Sequence, residues 1–127
     1  MYYHIQKLSD MPVVFATWYE GFQYAEHGQQ YLHDIHELFD SQDAPVFYVL
    51  DMSQLHSISF EGMANAANSG THGVSATLHH PMNRGTLFVS DLPIIKAAAK
   101  GLNSAVYGNV FVQVFATLNE ALGCIGS

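Results

Sequence analysis

Histidine is the most frequent metal-binding residue type in this chain, with eight histidines among 127 residues. His33 and His36 are one helical turn apart, and Glu37 lies beside them. Three more histidines fall in a glycine-rich region: His72, His79 and His80. Strong zinc motifs hold their ligands at fixed spacings, such as HExxH or paired cysteines. Neither spacing is present, so the sequence predicts no metal site and no cofactor.

Candidates for nucleophilic or phosphate chemistry are few. Cys124 lies in an apolar C-terminal segment, where core packing of an inert thiol is the expected role. The sequence has no GxSxG motif, and its glycine pairs at 70 and 73 and at 123 and 126 lack the spacing and context of phosphate-binding loops. No two titratable groups are visibly placed for acid–base catalysis. We therefore expect a protein that is not an enzyme.

Asp51 closes a strongly apolar segment and deserves separate attention. Receiver domains accept a phosphoryl group on such an aspartate, but they also need an acidic pair after the first strand and a lysine after a late one. Neither is present here. We expect the Asp51 carboxylate to accept backbone N–H bonds in the turn that follows its strand.

Composition narrows the possible partners and location. The formal charge is −7, and four basic residues cannot form a phosphate-neutralising stripe, so nucleic acid is not an expected partner. Only 12% of residues are charged while 13% are aromatic, which favours a homodimer. A single cysteine suits a reducing compartment, and no apolar run is long enough to span a membrane. We expect one soluble, cytoplasmic domain over residues 1–127.

The first half of the chain reads as a strand hairpin, a helix and a buried strand. The β-prone segments Tyr3–Leu8 and Val13–Tyr19 are joined by a short turn. Apolar residues recur at helical spacing over Phe22–Asp40, including Phe22, Ala25, Leu32, Ile35 and Phe39. Val46–Leu50 is a continuous apolar run, which predicts a central strand buried on both faces.

The second half alternates helices and strands. A helix is expected to begin near Ser59, with Phe60, Met63, Ala64 and Ala67 on one face; Gly70 and Gly73 leave residues 69–84 open between helix and loop. Strand Thr86–Val89 leads through Ser90-Asp91, a capping candidate, into a helix with Pro93 in its first turn. That helix is expected to carry Ile95, Ala98, Leu102 and Val106 and to end at Gly108. Val110–Phe115 predicts the last strand, and Thr117 to Glu120 fits a capping box for a terminal helix with Leu118, Ala121, Leu122 and Ile125 inward.

The element order is therefore ββαβαβαβα, which defines an α/β fold. Strands separated by helices run parallel through right-handed crossovers, so the sheet is mostly parallel with an antiparallel N-terminal strand and helices packed on it. The expected core is Val14, Phe15, Leu32, Ile35, Phe39, Val49, Phe88, Ile95, Leu102, Val112 and Leu122.

The segment from Leu50 to Met63 resembles the signature of the STAS domain, the SpoIIAA-like family that includes anti-sigma factor antagonists. It has a buried strand, an Asp-apolar-Ser triplet at Asp51–Ser53, spaced apolar residues, and then a small hydroxyl residue and a glycine at a helix start. The element order is also that of the family, so the resemblance covers essentially the whole chain. It implies a STAS (SpoIIAA-like) fold and a non-catalytic regulatory module that acts through protein–protein interaction.

One position departs from the family pattern. The antagonists carry Asp-Ser-Ser-Gly at this helix start, and the serine before the glycine is phosphorylated; here the four residues are Ser59, Phe60, Glu61 and Gly62. The resemblance therefore places Glu61 in the phosphoacceptor position, where the helix dipole favours its charge. Ser59 is an alternative phosphoacceptor, but its expected role is the N-cap of the helix. The expected partner-binding region is Asp51, Ser53, Ser57, Ser59, Phe60, Glu61, Gly62 and Met63.

An alternative function remains open. Some SpoIIAA-like proteins are thought to hold a small apolar or lipid-like ligand between helices and sheet, and Phe60, Met63, Met82 and the glycine-rich stretch could cover such a ligand. A large enclosed apolar pocket favours this ligand-binding function, whereas a flat exposed patch around Glu61 favours protein docking. We expect Glu61 to be exposed or paired with backbone N–H groups.

Overall fold

The computed structural model describes residues 2–56, 58–72 and 76–126, and over these the element order is the one expected. The strands are β1 (Tyr3–Lys7), β2 (Val13–Trp18), β3 (Val46–Asp51), β4 (Asn83–Val89) and β5 (Val112–Phe115). The α-helices are α1 (Tyr24–Asp40), α2 (Phe60–Thr71), α3 (Pro93–Leu102) and α4 (Leu118–Gly126). Two short 3₁₀ segments, Thr77–His79 and Ala105–Tyr107, lie before β4 and β5.

The sheet has the order β1-β2-β3-β4-β5, with β3 at its centre as the apolar run predicted. β1 pairs antiparallel with β2, and Tyr3 lies opposite Trp18. The pairings of β2 with β3, β3 with β4 and β4 with β5 are all parallel. The predicted mixed sheet with an antiparallel N-terminal strand is therefore confirmed.

Helices cover both faces of this sheet. Each crossover from β2 to β5 steps in the same direction, so right-handed connections place α1, α2 and α3 on one face. The larger of the two apolar cores lies between these three helices and the sheet, and it includes Ile35, Phe39 and Ile95. After β5 the chain turns to the other face, where Ala121 of α4 is fully buried against the smaller apolar cluster. Because β2 to β5 are parallel, their carboxyl ends lie at the same end of the sheet.

Most of the predicted core is confirmed, with a few corrections. Val14, Ile35, Phe39, Val49, Phe88, Ile95, Leu102 and Val112 are buried. Phe15, Leu32 and Leu122 are only partly buried and lie at the margins of the two clusters, and Ala25 and Ala64 are exposed. Cys124 is exposed as well, because the inner face of the short helix α4 is already filled by its apolar neighbours.

The segment after β4 differs from its prediction in two ways. Ser90 does not cap α3; its hydroxyl accepts the N–H of Leu92, the N-cap residue, in the preceding turn. α3 also ends at Leu102, so Val106 lies in a separate 3₁₀ segment with its side chain 70% exposed. Asn103 leaves helical geometry, and the Val110 N–H then turns back to the Leu102 carbonyl. Gly108 terminates this second segment with φ 80, a conformation that glycine adopts without strain.

The glycine-rich region is part helix and part turn. α2 continues to Thr71 and includes Gly70, and the 3₁₀ segment begins at Thr77. Gly73 and its neighbours to residue 75 lie outside the described residues. Among the described residues, no helix combines the length and apolar character that crossing a membrane requires.

Candidate functional site

The start of α2 has the predicted geometry. Ser59 has extended backbone dihedrals, and its Oγ accepts the Gly62 N–H at 2.9 Å, which makes it the N-cap. The Met63 N–H also bonds the Ser59 carbonyl at 3.0 Å. Glu61 lies in the first turn and is exposed, as expected, where the positive end of the helix dipole stabilises its carboxylate. The helix start thus presents a fixed negative charge to solvent.

Asp51 holds the loop that leads to this helix. The residue is buried at the end of β3, and its Oδ1 accepts the Ser53 N–H at 2.9 Å. The Met52 N–H bonds the Val89 carbonyl, and the Leu55 N–H bonds the Met52 carbonyl. The expected role of Asp51 as a backbone acceptor in a turn is therefore confirmed, and the turn fixes the approach of the chain to α2.

A cleft of about 550 Å³ lies between this loop and the loop that joins β2 to α1. Both loops follow the carboxyl ends of adjacent parallel strands, the usual place for a binding crevice in an open α/β sheet. The two sides of the cleft are lined by Glu20, Phe22 and Gln23 and by Leu55, Ser59 and Glu61. The surface around Glu61 is thus concave, and the flat patch that we expected for protein docking is not observed there.

The cleft has an acidic rim. Glu20 and Glu61 both line it, and no lysine or arginine does so among the described residues. His56 Nε2 lies 3.7 Å from Glu20 Oε2, with both side chains largely exposed. Exposed pairs of this kind contribute little to stability, so both side chains can rearrange around a partner at low cost. The rim is suited to a positively charged group.

The predicted site residues separate into two groups. Ser59, Glu61 and Gly62 line the cleft, whereas Asp51 is buried in its turn and Met63 packs into the core. Ser53 is exposed in the β3–α2 loop, Phe60 is the first residue of α2, and Ser57 lies outside the described residues. Of the predicted site residues that the structure describes, those that line the cleft all belong to the start of α2.

Sequence reasoning missed the opposite side of the cleft, Glu20 to Ala25. The sequence predicts Phe22 to Ala25 as the start of a helix, and Glu20 and Gly21 fall between two predicted elements. A signal was present, because residues that follow adjacent parallel strands meet at the same edge of the sheet. The loop after β2 could therefore have been placed beside the loop after β3.

Beneath the cleft, aromatic side chains form a cluster on the helix-covered face of the sheet. The rings of Trp18 and Phe22 stack with centroids 4.4 Å apart, and Tyr31 meets Trp18 edge-on at 5.4 Å. The hydroxyls of Tyr31 and Tyr48 are hydrogen-bonded to each other and fully buried. Burial raises the pKa of both phenols well above their ordinary value, because an ionised phenolate would be desolvated there.

A cavity of about 60 Å³ adjoins this cluster, between the sheet and helices α1, α2 and α3. Ligand pockets usually measure about 300–1,000 Å³, and a cavity of about 150 Å³ holds benzene. In this conformation the cavity cannot hold a lipid chain. Of the side chains expected to cover a ligand, Met63 lines the cavity, whereas Met82 does not appear among the described lining residues.

His33 and His36, one turn apart on α1, do not meet at one site. His33 pairs with Glu37 on the exposed surface, with Nε2 and Oε1 3.2 Å apart. His36 instead joins a second cluster, because its Nε2 lies 3.5 Å from Asp40 Oδ2 while His80 Nε2 lies 2.7 Å from Asp40 Oδ1. His80 comes from the turn before β4, so the cluster links α1 to the central sheet.

The three ligand-type atoms of His36, Asp40 and His80 lie within 4.8 Å of one another, which raises the question of a metal. His80 Nδ1 accepts the Met82 N–H at 3.0 Å, so the ring proton resides on Nε2 and is donated to Asp40. A metal would need that Nε2 lone pair, and a ligating histidine normally donates from its other nitrogen. The arrangement fits a hydrogen-bonded network better than a metal centre. The hydrogen bond from His80 and the nearby charge of His36 lower the pKa of Asp40.

Comparison with known proteins identifies the fold. No family model matches the sequence, and no curated protein is significantly similar to it. Among solved structures, the chain is similar to an uncharacterised DUF3478 protein with a SpoIIAA-like fold from Shewanella loihica PV-4, with a TM-score of 0.61 and 11% identity over 97% of this chain and 91% of that one. It is equally similar to an anti-sigma factor antagonist from Mycobacterium paratuberculosis, with a TM-score of 0.61 and 16% identity over 98% of this chain and 93% of that one.

Both similarities extend over nearly the whole chain. The protein therefore has a SpoIIAA-like fold.

Proposed function

We propose that this protein is a non-catalytic regulatory module that docks a protein partner at the cleft beside the start of α2. The observation that carries the proposal is the open cleft of about 550 Å³, bordered by a capped helix start with an exposed carboxylate. The structural similarity to an anti-sigma factor antagonist supports a protein as the partner.

Glu61 gives the start of α2 a permanent negative charge. The family resemblance places a phosphorylated serine at this position, and a carboxylate at the same place carries charge of the same sign as a phosphate, although less of it. A kinase cannot add a phosphate to glutamate. The module therefore presents one state to its partner and does not cycle between two.

The partner carries basic side chains at its contact surface. Glu20 and Glu61 line the cleft, and the chain has a net charge of −7. A lysine or arginine of the partner would meet a complementary field there, which accelerates association and fixes orientation.

The test compares Glu61→Ser with Glu120→Ser. Both glutamates lie in the first turn of a helix, but Glu120 belongs to α4 on the opposite face of the sheet. Proteins recovered with the wild-type chain are purified, and their affinity for each variant is measured by calorimetry. We expect Glu61→Ser to lower the affinity for the partner by about tenfold or more, since a lost charge-assisted contact costs roughly 1.5–3 kcal/mol.

Glu120→Ser should bind the partner as the wild type does. Glu61→Ser itself should cost under about 1 kcal/mol of stability, because only the interaction with the helix dipole is lost. An unchanged affinity for Glu61→Ser would reject the docking site.

We also propose that the module is a homodimer and acts in the cytoplasm. The low content of charged residues supports self-association, and Val106 and Phe111 are exposed apolar side chains available for it. Imaging of a fluorescent fusion would test the location, and a membrane-bound or exported signal would contradict it.

A further inference from the structure

We propose that the β5 edge of the sheet binds an extended, acidic peptide segment of a partner protein, which adds to β5 as a further strand. The site is separate from the docking cleft. That cleft lies between the loops that follow β2 and β3, whereas β5 is the last strand of the sheet, on the far side of β4. The proposal therefore does not depend on the function assigned to the cleft.

One side of β5 is open to an added strand. Among the described strands, β5 pairs only with β4. The Phe115 carbonyl accepts the Ser90 N–H, so the backbone groups of Phe115 and of Gln113 point towards β4. Backbone groups of successive residues in a strand point to alternate sides, so those of Val112 and Val114 point to the open edge. Such an edge is a template for strand addition.

The sequence of β5 lacks the features that usually protect an edge strand. Natural edge strands commonly carry a charged residue or a proline, which blocks pairing with another chain. Val112–Phe115 contains neither. The strand at the opposite edge, β1, ends in the charged residue Lys7. Of the two edges, β5 is therefore the one suited to strand addition.

A groove of about 360 Å³ lies at this edge, between β5 and α3. Val112 and Val114 line it from the strand, and the 69% exposed side chain of Phe111 lines it as well. Lys96 and Lys100 line it from α3, where they are exposed and one helical turn apart. The groove thus offers apolar contacts beside two positive charges.

Positive charge is concentrated at this edge of an acidic protein. The chain has four basic residues and a net charge of −7. Two of the four line the groove, and Arg84 lines a neighbouring depression that shares Phe111 with it. Among the described residues, no aspartate or glutamate lines either space, and the ion pairs all involve histidine. Acidic side chains of a partner segment would supply the counter-charges.

A second copy of the chain is the competing occupant, because Phe111 also belongs to the surface proposed for self-association. A twofold contact places the same surface patch on both sides of the interface. The lysines of both copies would then lie close together, and this like-charge contact weakens the association. An acidic segment meets the same groove with opposite charge, so it is the favoured occupant.

The test titrates the wild-type chain with a capped seven-residue peptide of alternating valine and glutamate. An extended chain places alternate side chains on one face of a sheet, so all the glutamates can lie on the side of α3. We expect a saturable shift of the Val112 and Val114 amide peaks in a ¹⁵N–¹H spectrum. The same peptide with lysine in place of glutamate should not bind. Absence of saturable binding by the glutamate peptide, or equal binding by both peptides, would overturn the proposal.

Backbone methylation distinguishes strand addition from simple charge attraction. The N–H groups of alternate residues in a strand point to the same edge. One peptide is therefore N-methylated at every glutamate and a second at every valine. One of the two should lose binding, because its methyl groups face β5, while the other should bind as the unmodified peptide does. Equal affinity of the two methylated peptides would reject strand addition.

Two charge variants locate the site. Lys100→Glu should lower the affinity for the glutamate peptide by about fivefold or more, because an exposed attraction becomes a repulsion. Lys7→Glu makes the same change at the opposite edge and should bind the peptide as the wild type does. An equal loss in both variants would show unspecific attraction and overturn the proposal. So would a free protein whose Val112 and Val114 amides are protected from exchange and which binds no peptide, because a second copy would then occupy the edge.

Discussion

At the scale of single residues, the Ser59 cap fixes where α2 begins and therefore where Glu61 points. We expect Ser59→Ala to destabilise the protein by about 1 kcal/mol, because the Gly62 N–H loses the hydroxyl oxygen that it bonds at 2.9 Å. Urea unfolding monitored by circular dichroism measures this loss. Ser53→Ala is the matched control, since Ser53 donates its backbone N–H to Asp51 and its hydroxyl has no hydrogen bond among the described residues. Equal stability of the two variants would show that the cap is dispensable.

Asp40 gives the protein a defined sensitivity to acid. Its pKa is lowered first by the hydrogen bond from His80 and then by the charge of His36. A lowered native pKa means that the carboxylate stabilises the fold above its ordinary value of 3.8 and loses that effect as the pH falls through the lowered pKa. We expect the difference in thermal midpoint between wild type and Asp40→Asn to shrink as the pH falls from about 5 to 2.

Asp43→Asn, in the exposed loop after α1, is the control for the loss of one negative charge. If the difference in thermal midpoint between wild type and Asp40→Asn stays constant over this pH range, the lowered pKa of Asp40 does not contribute to stability.

At the scale of elements, the Tyr31–Tyr48 hydrogen bond ties α1 to the central strand β3. Tyr48→Phe should cost about 1–3 kcal/mol, because the buried Tyr31 hydroxyl loses its partner. Tyr31→Phe should have a similar cost. The double variant should be less destabilised than the sum of the two, since no unpaired hydroxyl of this pair then remains. Denaturant unfolding of all four proteins gives the coupling, and additive losses would contradict a direct interaction.

At the scale of the whole molecule, the β5 side of the sheet has the features expected of a contact surface. Phe111 is 69% exposed just before the edge strand, and Val106 is equally exposed nearby in sequence. We expect a dimer at micromolar concentration, and Phe111→Ser should shift it towards the monomer, because a large apolar contact is lost. Light scattering measures both states.

Tyr2→Ser, beside strand β1 at the opposite edge, should leave the dimer intact. A wild-type protein that is monomeric at micromolar concentration would contradict self-association.

Features that depend on short-range order could be predicted from the sequence. Val46–Leu50 is apolar throughout, as is typical of a strand covered on both faces. This pattern predicted the central position of β3 in the sheet. The Ser59 cap and the Thr117 hydroxyl that accepts the Glu120 N–H join residues three positions apart. Local interactions of this kind are nearly independent of the rest of the fold. The order of elements then determined the mixed sheet through the handedness of crossovers.

The tertiary structure decided which distant residues meet. His80 bonds Asp40 across forty positions, and Glu20 shares a cleft with Glu61 because β2 and β3 end side by side. It also decided which side chains of a helix are buried, since Cys124 of α4 is exposed. It decided where a helix ends as well, since α3 stops at Leu102. Periodicity defines a helix face only approximately, and long-range contacts depend on how the elements pack. The hydrogen bond between Tyr31 and Tyr48 is another such contact, since it joins helix α1 to strand β3.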